Sequence, residues 1–546
     1  MSIRTPIRQS ASVYHYGKNY GKNYGKNYGK KGREPWLPLG YTQHCFWFVA
    51  SALGDTVNNH VGILIEGELR VDLLEQAINA LIQSHISLRT EILDYAPVQR
   101  PCHVDSFDLP LLDLSGHDAA EQEQIIYKSI QQFLNTPFDL KSPPHLHAKL
   151  CRLGEAKHML SLCFPHIVAD GGAIHLFEQQ LWRLYAQGCQ GRKPQLTIAA
   201  HTQIGEWVRY ERENYRRQGQ QNLAFWRDHL TGYPYARFPE RYINQDVLID
   251  HEFLLPFPGD SYEQLDALAK QQRATLQMVF MTLVAEIVHE MTGQSRFSLN
   301  SVLEGREQSG SETLMIPLLR VMPVPVCMDT IMDKISRQGT ETATETATET
   351  GTATLALLEH IRAKILRAYD HMECPWSMPI GVMAEQRWSA SPKIYSLAIR
   401  AGSWIYSKIF RRAELYPRFL ADLFFMEPNP PQALFRRQKH NKAVSDPTIN
   451  INILQDIFKV PTVDSSPGGL RLSTYWRSEH REEQTQPSQA ISTRWESDSI
   501  NIYVTLSEKG SPIMQIDCCC FSQEGMAQFT GLLKTKLSSL SQFITK

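Results

Sequence analysis

The stretch from Met159 to Tyr185 changes its period midway, and that change restricts the fold more than any other feature of the chain. Met159 to Phe164 reads as a strand. From Gly172 to Tyr185, Ile174, Phe177, Leu181 and Leu184 recur at helical spacing. Between the two lies Pro165-His166-Ile167-Val168-Ala169-Asp170-Gly171-Gly172. A strand must hand over to a helix inside that interval. Glycine there lets the backbone turn tightly and leaves space beside it. A histidine at such a strand end stands where loops on a rigid scaffold carry function. Its neutral imidazole can take a proton from an amine or hydroxyl near neutral pH. Asp170 can hold the turn by pairing with a cation. Taken alone, the pattern H-x-x-x-D-G fits a structural histidine as well.

Elsewhere helices and strands mix without a regular βαβ rhythm. Val71 to Ile86 places Leu73, Leu74, Ala77, Ile78, Leu81 and Ile82 on one helical face. Leu146 to Cys151, Phe297 to Leu303 and Val321 to Cys327 read as strands, and Gln277 to Met291 as a buried helix. Thr448-Ile449-Asn450-Ile451-Asn452-Ile453 alternates strictly, so its asparagines share a face with Thr448. That face is either a solvated strand surface or the border of a site. An α+β layered architecture is expected.

The 546 residues exceed what one core usually holds, roughly 250–300 residues, so two lobes are expected: 34–200 and 201–546. Residues 1–33 hold no acid and repeat Tyr-Gly-Lys-Asn, which predicts a disordered basic arm. The Thr-Glu-Thr-Ala repeat from Thr340 to Thr350 predicts a solvated loop insertion, within about 335–354. A net charge of −1 gives no field for nucleic acid. Ten cysteines without C-x-x-C spacing make neither a disulfide scaffold nor a zinc site. Cys518, Cys519 and Cys520 alternate faces on an apolar stretch, so a buried, reduced state is expected. No secretory signal and no long uninterrupted apolar run is visible, which makes the cytoplasm the expected location.

Several further segments follow one another in a telling order. They are Tyr41-Thr42-Gln43-His44-Cys45-Phe46-Trp47-Phe48, His85-Ile86-Ser87-Leu88-Arg89-Thr90 and Pro137-Phe138-Asp139-Leu140. After the His166 segment come Phe225-Trp226-Arg227-Asp228-His229-Leu230-Thr231-Gly232, Thr292-Gly293-Gln294 and Glu304-Gly305-Arg306. In this order they resemble the condensation-domain superfamily, which takes in nonribosomal-peptide condensation domains and coenzyme-A-dependent acyltransferases. The resemblance runs from about Trp36 to the C-terminus.

The resemblance implies an α+β fold of two chloramphenicol-acetyltransferase-like lobes in a V shape with a tunnel between them. It implies His166 as the catalytic residue, positioning or deprotonating the nucleophile. Asp170 and Gly171 are implied as structural at the active site, with Arg306 as the cation for Asp170, because a buried carboxylate needs a cation or several donors. Pro165, Gly172 and Asn452 are implied as tunnel residues. Pro165 stands where relatives carry a first histidine, Gly172 where many carry tryptophan, and the loop near Arg320 carries arginine where relatives often carry asparagine. A glycine at 172 would leave room for a bulkier acyl chain.

A standalone condensation-type acyltransferase follows as the expectation. It would move an acyl group from a carrier-protein or coenzyme A thioester to an amine or hydroxyl, in secondary-metabolite or lipid biosynthesis. Its partners would be an acyl or peptidyl carrier protein or acyl-CoA, plus a small amine or alcohol acceptor. No metal and no bound cofactor are expected, since the thioester is already activated and positioning supplies much of the rate. The alternative is a degenerate domain that binds a carrier protein or an acyl product, and Pro165 is the residue that raises it. From about Met378 to Ala443 the chain is longer than its relatives. Lys393 to Arg412 reads as a basic amphipathic helix there. It packs on the second lobe, covers an acyl chain, or makes weak contact with an anionic membrane surface; the sequence leaves all three open.

Overall fold

The computed structural model describes residues 36–53, 57–94, 97–196, 200–243, 251–308, 310–329, 346–375, 377–387, 448–452, 467–474, 488–489, 499–506, 512–518 and 520–544. The basic arm, Cys519 and the helix expected over 393–412 lie outside the described residues.

The first half opens with β1 (Leu37–Pro38), α1 (Tyr41–Leu53), β2 (Asn58–Glu66), α2 (Val71–Ser84), β3 (Thr90–Ile92), β4 (Val98–Pro101), β5 (Leu111–Asp113) and α3 (Ala119–Asn135). It continues with β6 (His147–Gly154), β7 (Lys157–Pro165), α4 (Gly171–Cys189) and the long helix α5 (Ala200–Leu230). The second half adds β8 (His251–Pro256), α6 (Ser261–Gln271), α7 (Leu276–Thr292), β9 (Arg296–Leu303), β10 (Arg320–Cys327), α8 (Thr346–Tyr369) and α9 (Ser377–Arg387). It ends with β11 (Thr448–Asn452), β12 (Arg471–Thr474), β13 (Ser488–Gln489), β14 (Ser499–Leu506), β15 (Pro512–Cys518) and α10 (Gln523–Ile544).

Two large sheets organise these elements into an α+β fold. One has the order β12-β2-β7-β6-β5, the other β10-β9-β11-β14-β15-β8-β13, and β1-β4-β3 form a small third sheet. In the first, β7 is central and covered on both sides. Leu160, Leu162 and Phe164 enter a core with Leu74, Ile78 and Leu81 of α2 and Phe177 and Leu181 of α4. Met159 faces the other way, into a smaller cluster with Ile126, Ile130 and Leu134 of α3. A strand covered on both faces buries both sets of side chains, so Met159, Leu160, Leu162, Cys163 and Phe164 are all buried, and Ser161 among them bonds His60 at 2.6 Å. The six residues picked out on α2 by period are all buried.

The second sheet does alternate. Ile449, Ile451, Ile500, Ile502 and Ile516 enter the largest core with Phe280 and Val284 of α7, Leu357 and Ile361 of α8, and Phe529 and Leu533 of α10. Asn300, Asn450 and Asn501 lie in register on the opposite face.

The structure corrects the sequence reading in two places. The threonine-rich repeat is not wholly loop: α8 begins at Thr346, inside it. Threonine and glutamate tolerate helix there, and tertiary packing farther along, at Leu357 and Ile361, anchors it. A cut at residue 200 also fails to separate the sheets. Strand β12 pairs antiparallel with β2 of the first sheet, and Met315 and Leu470 bury into the first core. Cys518 and Cys520 are buried free thiols with sulfurs 3.7 Å apart. Among the described residues no single helix is long and apolar enough to cross a membrane.

Candidate active site

Strand β7 ends at Pro165, in register with Asn58 of β2. Proline has no N–H to give the ladder, and the end of a strand is where it is tolerated. Its carbonyl accepts from Val168 N (2.8 Å) and Ala169 N (3.2 Å), which curls the chain into the turn that carries His166. His166 N donates to Val57 O at 2.7 Å. Asn59 Nδ2 donates to Ala169 O at 2.9 Å, and Gln43 Nε2 of α1 to Ile167 O at 3.3 Å. The backbone of the turn is therefore held from β2 and from α1.

The His166 ring lies against Phe46 of α1, with centroids 4.0 Å apart and planes 16° from parallel. Its Nδ1 is buried and has no hydrogen-bond partner among the described residues. Burial pushes the imidazole down to about 4, with the nearby Asp170 carboxylate and a contact to its own backbone pulling the other way. The ring is thus neutral at physiological pH.

Asp170 caps α4, accepting from Ala173 N at 2.9 Å. The same oxygen accepts from Arg306 Nη2 at 2.7 Å. The other accepts from Leu318 N (2.7 Å) and Leu319 N (2.9 Å). One carboxylate, 3% exposed, therefore satisfies four donors and ties the turn after β7 to the segment between β9 and β10. Arg306 gives further hydrogens to Ser311 O (3.1 Å), Leu314 O (2.7 Å) and Ile316 O (3.0 Å). A buried charge held this way resists loss of either partner. Gly305, at φ +69, lets the chain turn where a side chain would run into Leu318 O.

Gly171 is the first residue of α4. Gly172 departs from its reading as free space for an acyl chain. A Cβ there would lie 2.5 Å from Arg306 Nε, so the arginine fills that room. Asn450 is committed to a ladder: Tyr235 Oη donates to Asn300 Oδ1 (3.3 Å), Asn300 Nδ2 to Asn450 Oδ1 (2.9 Å), and Asn450 Nδ2 to Asn501 Oδ1 (2.8 Å). Asn452 ends β11, and its side chain lies outside the described residues.

Beside the Asp170–Arg306 tie, a shallow cleft runs between α1, α5, the start of β10 and residues 373–375. Tyr41, Trp207, Tyr210, Arg320 and Glu373 line it. Sequence reasoning missed Phe46, Gln43 and the backbone donors of Leu318 and Leu319. Gln43 and Phe46 are three apart on one helix and so share a face, a signal that was present without its target.

The family described as Condensation domain matches residues 34–376. A linear gramicidin synthase of Brevibacillus parabrevis is 25% identical over 394 residues, covering 70% of this chain and 5% of that protein. The chain thus spans a small fraction of that relative. The SgcC5 protein from Streptomyces globisporus superposes with a TM-score of 0.61 at 17% identity, over 93% of this chain and 98% of that one. A mutant of the starter condensation domain of rhizomide synthetase RzmA, solved with C8-CoA, gives 0.60 at 14% identity, over 93% and 95%. At these identities the structural likeness speaks for the fold.

Proposed function

The chain belongs to the condensation-domain family, and on that premise we propose that it is an acyltransferase with His166 at its reaction centre. The donor is an acyl thioester on a carrier protein or on coenzyme A, and the acceptor is an amine or hydroxyl. The observation that carries this reading is the His166 turn. A neutral imidazole whose inner nitrogen bonds no other residue among those described follows a strand buried from His158 to Pro165. Such a group is retained at a cost in stability, which function can repay.

The acceptor's lone pair attacks the thioester carbonyl carbon. The new C–N or C–O bond forms as the C–S bond breaks. The acceptor's proton leaves with the sulfur, as thiol. Positioning of two bound reactants supplies much of the rate. An imidazole lowered to about 4 is a weak proton acceptor at neutral pH, which favours a positioning role over a proton-abstracting one. Asp170 and Arg306 hold the turn through each other and through backbone groups. The complex of a mutant RzmA starter domain with C8-CoA makes coenzyme A thioesters one arm of the test.

The test is a panel of acyl-carrier and acyl-CoA donors, crossed with amine and alcohol acceptors and read by intact mass. Product with the native chain and its loss in His166→Ala are expected. Equal product from both would remove His166 from the chemistry. Tight carrier binding with no product from either would leave a binding module.

A further inference from the structure

Two arginines flank the segment between β9 and β10, and they are used differently. Arg306 is spent on Asp170 and on the carbonyls of Ser311, Leu314 and Ile316. Arg320, the first residue of β10, is half-buried and lines the cleft beside that tie. Among the described residues its guanidinium makes no hydrogen bond and no ion pair. A cation partly withdrawn from water and left unpaired costs stability. Its charge is felt in the cleft wall. Burial raises the Tyr210 phenol, the Glu211 carboxyl and the Cys374 thiol, and Arg320 pulls back on all three.

The acids of the cleft are engaged elsewhere. Glu211 Oε2 accepts from Tyr41 N at 3.0 Å. Glu373 accepts from Asn214 Nδ2 at 2.6 Å and from Gln308 Nε2. Arg212 donates to Leu39 O at 2.7 Å and lies over the Tyr41 ring at 4.4 Å. The carboxylates here have their donors, whereas Arg320 has no acceptor among the described residues. A planar guanidinium is shaped to take an anion with paired oxygens.

The cleft shares its walls with the reaction centre. Tyr41 and Thr42 line it from α1, the helix whose Gln43 holds Ile167 O and whose Phe46 lies on the His166 ring. Leu318 lines it too, and gives its N–H to Asp170. Thr42 Oγ1 donates to Leu319 O at 3.4 Å, which joins the two walls.

We propose that this cleft is the subsite for a carboxylate on the acceptor, with Arg320 as the residue that binds it. This deepens, and rests on, the acyltransferase reading. It makes the acceptor a free amino acid or hydroxy acid. An aminoacyl group on a carrier has its carboxyl tied up in the thioester and offers no such anion. A shallow cleft walled by Trp207 and Tyr210 suits a small head group rather than an acyl chain. An amine without a carboxylate brings only its positive charge to an unpaired guanidinium, so such acceptors are disfavoured.

The test titrates the full chain by calorimetry with L-leucine, L-phenylalanine and L-lactate, each beside its amide. The amide keeps the shape and loses the negative charge. Each acid is expected to bind about 10- to 100-fold more tightly than its amide. In Arg320→Gln that ratio is expected to fall to about one to three. Arg320→Lys keeps the charge without the fork, is expected to retain a ratio of about three to ten, and covers the case of a Gln variant that does not fold. In turnover, KM for the acid acceptor is expected to rise roughly 10- to 100-fold in Arg320→Gln, with kcat within about threefold. Equal affinity of acid and amide for the native chain would overturn the proposal. So would binding of none of the acids, or a native ratio kept by Arg320→Gln. The titrations need no acyl donor. Discrimination without any transfer would count against the acyltransferase reading and leave the subsite standing, and equal transfer to acids and amides would do the opposite.

Discussion

In the first sheet, β7 is covered on both faces and delivers His166 with an enclosed nitrogen that nothing among the described residues satisfies. In the second, the polar face of β9, β11 and β14 carries Asn300, Asn450 and Asn501, each amide closed on the next at 2.9 and 2.8 Å. Both sheets pack helices against an apolar face. They differ in what happens to polar groups on the way out of the core. The asparagine ladder cancels its own dipoles and stiffens the sheet. The His166 turn leaves one group uncommitted and surrounds it with committed ones. A polar residue in register with two like residues is thus a poorer candidate for chemistry than a lone one at a strand end.

The largest test of this contrast needs no substitution. His44, His60, His145 and His166, all around the first sheet, are pushed down to between about 3 and about 4, chiefly by burial. Around the second, among the described residues, His371 is lowered, and His229 at the end of α5 lies at about 3. A histidine whose folded value is depressed binds fewer protons folded than unfolded. Stability is therefore full above the unfolded value near 6.5 and falls as pH drops toward the folded one. Hydrogen exchange followed from pH 7 to pH 4.5 should show the first sheet losing protection before the second. Simultaneous loss in both would break the comparison.

Arg306→Ala removes the cation from a buried carboxylate and cuts the tie between the halves. A loss of about 3–5 kcal/mol in denaturant-derived stability is expected. His166→Ala should do the reverse: little change in the unfolding midpoint, and a drop of about 10²–10³ in the transfer rate. If it left the rate intact, the turn would be structural only. Asn450→Ala strands the amides of Asn300 and Asn501. Stability should fall by about 1–3 kcal/mol with transfer rate nearly unchanged, measured by urea unfolding beside turnover. Gly172→Ala forces Arg306 Nε to move from a site where a Cβ would lie at 2.5 Å. The expected cost is about 1–2 kcal/mol, seen as a lower melting temperature. A neutral or faster Gly172→Ala would reopen the space as substrate room.

Much of this was readable before any coordinates. The strand-to-helix change around His166, the helical face of α2, the buried α7 and the alternation of β11 are all local periodicities. They appear where expected. The Asp170–Arg306 partnership was reachable through family order alone. Other motif residues turn out to serve packing. His85 bonds Gln180 at 2.6 Å, and the Trp226 indole donates to His371 O at 3.2 Å. Sequence order could not say which motifs hold the scaffold and which face the site.

What the chain determines by itself is therefore the kind of element at each point, and the turn that presents His166. Those follow from side-chain period and from glycine and proline, which act within a few residues. What the tertiary structure alone decided are the meetings across long separations. Arg306 reaches Asp170 over 136 positions and fills the room beside Gly172. Strand β12 joins the first sheet rather than the second. The ring of Phe46 lies against His166. No local pattern encodes such contacts. They depend on how loops close and cores pack, where many sequences share a period and only the three-dimensional arrangement selects the partner.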